Sequence, residues 1–138
     1  MAASSKLSTS VKALCFLGKH QQKGWSSAEI SKEIGINTSK LRRLLSMLVK
    51  SGILKSSRGK EGKFVLNKPP DKIHLQEVYC AIEDRKAFHL DVRHVSVKDL
   101  PDSAKLNNYF LDLFAEIQID IEDKMRKISI KNIIEQIL

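Results

Sequence analysis

Ser26-Ser27-Ala28-Glu29-Ile30-Ser31-Lys32-Glu33-Ile34, then Gly35, then Ile36-Asn37-Thr38-Ser39-Lys40-Leu41-Arg42-Arg43-Leu44-Leu45-Ser46-Met47-Leu48 is the stretch whose reading decides the fold. The first segment reads as a short amphipathic helix, with a serine cap and an acid in its first turn. Gly35 is the residue type best able to take the positive φ that stops one helix and redirects the chain. A second helix restarts after Asn37, and Leu41, Leu44, Leu45 and Leu48 give it one apolar face. Its other face carries Thr38, Ser39, Arg42, Arg43 and Ser46, which are short polar groups and two guanidinium forks.

Working outward, Gly52 ends that helix and Ile53-Leu54-Lys55-Ser56-Ser57 reads as a strand. Arg58-Gly59-Lys60-Glu61-Gly62-Lys63 is a glycine-punctuated turn, and Phe64-Val65-Leu66 returns before Pro69-Pro70. A hairpin directly behind a basic second helix, tipped by Arg58, Lys60 and Lys63, is a wing. Helix, glycine turn, basic helix and wing together predict a winged helix-turn-helix, in which the second helix enters a major groove. An ordinary helix pair and hairpin with solvated basic side chains is the plainer alternative.

The charge distribution agrees with that reading. The chain has 138 residues and a formal charge of +8, but residues 1–68 hold 14 Lys and Arg against 3 acids, while residues 69–138 hold 10 against 13. The positive field therefore belongs to the half with the wing, as a polyanion-binding surface requires. No run approaches the roughly 20 apolar residues needed to span a bilayer, and the first residues lack the apolar core of a secretion signal. The expected location is the cytoplasm.

Around this unit the pattern predicts a first helix over residues 6–19, with Leu7, Val11, Leu14 and Leu17 on one side. A short helix is expected over 74–83, with Leu75, Val78 and Ile82 facing inward, and 87–92 reads as a short strand. Residues 103–127 form the longest helix, striped by Leu106, Phe110, Leu113, Phe114, Ile117, Ile121 and Met125. A last helix runs over 129–137, capped by Ser129. The fold class is thus mainly α with a small β-hairpin wing, divided into a DNA-binding domain (1–84), a linker (85–102) and a helical dimerisation region (103–138). The long stripe exceeds what a small winged helix needs for its own core. It suits a helix that crosses its twin, because a two-fold dimer reads a two-fold operator; intramolecular packing is the alternative.

Lys6-Leu7-Ser8-Thr9, Gly35-Ile36-Asn37, the wing from Arg58 to Leu66 and Ile73-His74-Leu75-Gln76-Glu77-Val78 resemble the Rrf-two family of bacterial transcriptional regulators. The resemblance runs from about residue 6 to Asp84, with a weaker match at Ile128-Ser129-Ile130. It implies a homodimer paired through the long helix, a recognition helix on bases and a wing on the flanking groove or backbone. Carried over, Ser39, Arg42 and Arg43 are base-reading candidates, with Thr38 and Lys40 on phosphates. Lys6, Ser8 and Thr9 from the first helix and Ser27 from the second are further DNA contacts, and Arg58, Lys60 and Lys63 belong to the wing. The residues themselves agree on the arginines, which lie off the leucine stripe and suit bidentate guanine readout, although phosphate contact suits them equally. The chain departs from the family pattern at Lys40, where an aromatic is common, and at Lys63, which replaces a glycine of the wing pair. It also departs where iron–sulfur members place three cysteines, since residues 84–106 contain none.

Cys15 and Cys80 are the two cysteines, too few for an all-cysteine metal site in one subunit. Buried inert thiols and a thiol switch are the alternatives for them. His89, Asp91 and His94 could offer two imidazoles and a carboxylate to a divalent metal, or could be ordinary loop residues. No cofactor is expected. The leading expectation is a homodimeric, sequence-specific DNA-binding regulator, a repressor, responding to a redox or small-molecule signal. The alternative is an interaction module of the same fold that acts through a partner protein. No phosphate-cradling glycine loop, nucleophile motif or zinc signature points to an enzyme.

Overall fold

The computed structural model describes residues 5–57, 62–83 and 93–138. Three helices open the chain: α1 (Ser5–Lys19), α2 (Ser27–Ile34) and α3 (Thr38–Lys50). A two-stranded antiparallel hairpin follows, β1 (Leu54–Ser56) and β2 (Phe64–Leu66), with Lys55 opposite Val65. After a 3-10 turn at Pro70–Lys72 come α4 (Leu75–Ile82), α5 (Asp102–Arg126) and α6 (Ile130–Ile137). The wing tip at Arg58, Gly59, Lys60 and Glu61 lies outside the described residues, as do the strand expected at 87–92, His89 and Asp91.

Local chemistry sets the α2–α3 corner. Ser26 caps α2 by accepting from the Glu29 N–H at 3.2 Å, and the Glu29 carboxylate accepts from the Ser26 N–H at 3.0 Å. This reciprocal pair is a capping box. Gly35 ends the helix at φ 70°, in the left-handed region that a side chain disfavours. Asn37 then caps α3, its side-chain oxygen accepting from the Ser39 and Lys40 N–H groups. The Ser31 hydroxyl lies 2.8 Å from that of Thr38 and donates to the Ile36 carbonyl, buttressing the turn from inside.

The core gathers Leu14 and Leu17 of α1, Ile30 of α2, Leu41, Leu44, Leu45 and Leu48 of α3, and Val78 and Ile82 of α4. The leucine stripe expected on the recognition helix is therefore the buried one. Ile130 of α6 is fully buried in the same cluster. α6 packs on α1 and the 3-10 turn, and Ser129 forms an isolated antiparallel bridge with His74. The last helix thus closes the winged-helix core, although the sequence reading grouped it with the dimerisation region. The reason is chain geometry: Leu75 donates its N–H to the Ile128 carbonyl and Ile130 to the Ile73 carbonyl, at 2.8 Å each, so the chain returns to the winged helix as soon as α5 ends.

α5 is different. Among the helices it packs chiefly on α4, and its one buried residue is polar, Gln118. Leu106, Tyr109 and Phe110 are 55, 60 and 39% exposed, while Leu113, Phe114, Ile117, Ile121 and Met125 are half-buried.

Candidate nucleic-acid interface

α3 presents its polar face to solvent: Ser39, Lys40, Arg42, Arg43 and Ser46 are exposed, opposite the buried leucines. Two guanidiniums on adjacent residues, at the surface of a rigid helix, can reach base edges or phosphates without moving the backbone. Lys40 also donates to the Ser5 hydroxyl at 3.2 Å, which ties the start of α3 to the start of α1.

The expected contacts do not all share this face. Ser8 is exposed on α1 and Lys6 half-buried, but Thr9 is 3% exposed and lies on the inner side of the helix. Ser27 is 8% exposed at the start of α2. Both lie on the inner side of their helices, Thr9 four residues before the buried Ala13 and Ser27 three before the buried Ile30. Thr38 is half-buried, with its hydroxyl spent on Ser31. Arg58 and Lys60 lie outside the described residues. Lys63 is described, and its ammonium lies 2.9 Å from the Glu29 carboxylate rather than reaching outward.

The hairpin is joined to α2 more closely than a two-stranded wing requires. Trp25 pairs with Phe64 as a third, one-residue rung, with N–H···O distances of 3.2 and 2.8 Å. Gly24 permits this approach, since a β-carbon there would sit 2.8 Å from that of Lys63. Lys23 also reaches Glu29, at 3.2 Å, while its ammonium lies 4.1 Å from the centre of the Trp25 ring. The backbone N–H of Ser26, followed by Lys63 and Lys23, holds the Glu29 carboxyl well below the usual carboxylate range. Sequence reading missed this cluster. The capping signal at Glu29 was visible, but the lysines that converge on it lie six residues before it and 34 after it.

Cys15 is buried, and desolvation raises its thiol pKa. Cys80 is exposed, so of the two alternatives a buried inert thiol does not describe it. It faces α5, where its Sγ lies 3.6 Å from the Glu122 carboxylate and 3.2 Å from the Gln76 amide. His94 lies 3.6 Å from an Asp112 carboxylate oxygen. Among the described residues no group of three or more His, Cys, Asp or Glu is arranged to hold a metal ion. No helix of the described residues is long and apolar enough to cross a membrane.

Comparison with known proteins agrees with this geometry. Residues 3–136 match the Rrf2 family, described as an iron-dependent transcriptional regulator. The chain is 35% identical over 85 residues to IscR of Photorhabdus laumondii, covering 61% of this chain and 52% of that one. It is 26% identical over 133 residues to YwnA of Bacillus subtilis, covering 96% and 97%. The chain spans about half the length of the first curated relatives it matches. Two solved structures share the fold: T. potens IscR, with a TM-score of 0.71 at 20% identity over 99% of this chain and 88% of that one, and CymR, the global cysteine regulator of B. subtilis, with 0.69 at 20% over 99% and 98%. Cysteine thiolates are the usual iron–sulfur ligands, and one buried thiol on α1 with one exposed on α4 does not fit a cysteine-held cluster within a subunit. The chain belongs to the Rrf2 family of winged-helix transcriptional regulators.

Proposed function

We propose that this protein is a homodimeric, sequence-specific DNA-binding regulator that represses by occluding promoter DNA. The observation that carries the reading is the exposed face of α3, where Ser39, Arg42 and Arg43 stand opposite a fully buried leucine stripe. In this reading Arg42, Arg43 and Ser39 reach base edges in a major groove. Lys40, Lys6 and Ser8 contact phosphates, and the hairpin follows the flanking backbone.

The pairing of two copies rests on α5. Its stripe from Leu106 to Met125 combines exposed and half-buried apolar residues along a helix packed mainly on α4. An apolar stripe of that length is covered most simply by its own twin, through an isologous contact. Two recognition helices related by a two-fold axis would then read half-sites about 34 Å apart or a small multiple of that.

Of the two thiols, Cys80 is the one open to a chemical signal, and it sits at the α4–α5 joint. An effector acting there would change the spacing of the paired recognition helices. The reading is tested by fluorescence anisotropy on DNA from upstream of the protein's own gene, with competitor DNA and a salt series. Tight, competitor-resistant binding with a steep salt slope is expected. A stable hetero-complex with another protein and no affinity for DNA would instead favour an interaction module of the same fold.

A further inference from the structure

We propose that Glu29 tunes the specificity of the DNA interface, by holding Lys63 and Lys23 at the base of the hairpin and keeping their charges from adding sequence-independent phosphate contacts. The proposal rests on the regulator reading above and assigns a role within it to a residue off the recognition helix.

Three observations carry it. The first is the sharing of one carboxylate: Oε1 accepts from Lys63 at 2.9 Å and from the Ser26 N–H at 3.0 Å, while Oε2 accepts from Lys23 at 3.2 Å. The second is that the backbone brings these groups together independently of the ion pairs. The Trp25–Phe64 rung and the close approach of Gly24 to Lys63 fix both lysine-bearing segments beside the start of α2. Lys23 is further placed over the Trp25 ring. The third is position. Glu29, Lys63, Arg42 and Phe64 line one groove of about 720 Å³ between α2, α3 and the hairpin, so Lys63 stands beside the base-reading face, and Lys23 reaches the same carboxylate.

Charge explains why such a residue matters. Residues 1–68 carry 14 basic side chains against 3 acidic ones, so attraction to any duplex is strong and blind to sequence. Specificity is the difference between affinity for an operator and affinity for random DNA. An acid that occupies two cations near the groove lowers the second without touching the arginines. The cap alone does not call for a charge, because glutamine serves equally at this position of a capping box.

That equivalence supplies the test. Glu29→Gln keeps the acceptor for the Ser26 N–H and removes the charge. Binding to a selected operator and to a random duplex is measured by anisotropy across a salt series, with circular dichroism on each variant. For Glu29→Gln, tighter binding to random DNA is expected, with a salt slope steeper by about 0.9 for each lysine released per protomer. The ratio of operator to random affinity falls accordingly. Adding Lys23→Gln to Glu29→Gln should return part of the extra slope. Should Glu29→Gln fail to fold, Lys23→Gln alone decides: its slope is expected to match wild type, and a drop of about 0.9 would show Lys23 already on phosphate and overturn the proposal. A folded Glu29→Gln protein with unchanged slope and unchanged affinity for random DNA would leave Glu29 a cap only. Wild-type protein that binds no duplex overturns this proposal and the regulator reading together, whereas a wild type that binds normally beside an unchanged variant overturns this one alone.

Discussion

The Gln118 amide donates to the Tyr79 hydroxyl at 3.2 Å and to the Glu122 carboxylate of its own helix at 3.0 Å, so the one buried side chain of α5 makes a polar tie to α4 through Tyr79. Only 7% of Gln118 is exposed. The bond to Tyr79 crosses to α4 and resists a roll of α5 about its axis, because rotation carries the amide away from that hydroxyl, while the bond to Glu122, within α5, orients the amide. The roll decides which way the Leu106–Met125 stripe faces.

Gln118→Ala is expected to destabilise the fold by about 1 kcal/mol, the usual net worth of a hydrogen bond, since it removes the tie to the Tyr79 hydroxyl. Chemical denaturation read by circular dichroism measures it. A loss below a few tenths of a kcal/mol would mean that the tie is replaced by water.

Placing a charge on the α5 stripe should separate two copies without unfolding one. Phe110, 39% exposed and stacked on Phe114 with ring centres 5.8 Å apart, is the position to change. Phe110→Asp is expected to shift the mass in multi-angle light scattering from two chains to one, with helix content retained. A wild-type protein that already runs as one chain at micromolar concentration would remove the basis for pairing through this helix.

The two thiols should differ in reactivity. Cys80 is exposed, while Cys15 is buried with its pKa raised by desolvation. Alkylation of the native protein is expected at Cys80 first, with Cys15 labelled only after denaturation, as intact-mass and peptide measurements would show. Equal labelling of both would indicate that α1 opens in the native state.

Acid should undo the Glu29 cluster late. The folded-state pKa of Glu29 is depressed, first by the Ser26 N–H and then by Lys63 and Lys23. A depressed carboxylate contributes stability that is fully present above its unfolded pKa of about 4.3 and is lost as pH falls through the folded value. The stability difference between wild type and Glu29→Gln should therefore be constant from neutral pH to about pH 5 and shrink only below that. A difference that disappears near pH 6 would point to another titrating group.

Much of this fold was legible because its signals are local. Ser26 with Glu29, Gly35 and Asn37 mark the α2–α3 corner within a dozen residues, and the leucines of α3 repeat at helical spacing. The hairpin was legible from glycine spacing, and β2 falls on Phe64–Leu66 as expected. What escaped was non-local or turned on one step of helix phase. The Trp25–Phe64 rung joins residues far apart in the chain, and no periodicity encodes it. Thr9 and Ser27 were DNA-contact candidates, Thr9 from the resemblance, but the helix phase that places them on the inner side is set by Ala13 and Ile30. α6 carries an apolar pattern that would suit either the core or a dimer, and only the return of the chain at Ile128–Ile130 selects the core.

The most direct measurement is the affinity of Arg42→Ala and Arg43→Ala for a palindromic duplex selected by the wild-type protein, set against single-base variants of that duplex. If α3 reads bases, at least one substitution should cost about 1–3 kcal/mol on the selected site and relax discrimination at one position in each half-site, leaving binding to random DNA nearly unchanged. Equal, sequence-independent weakening by both, or none, would contradict base recognition by α3.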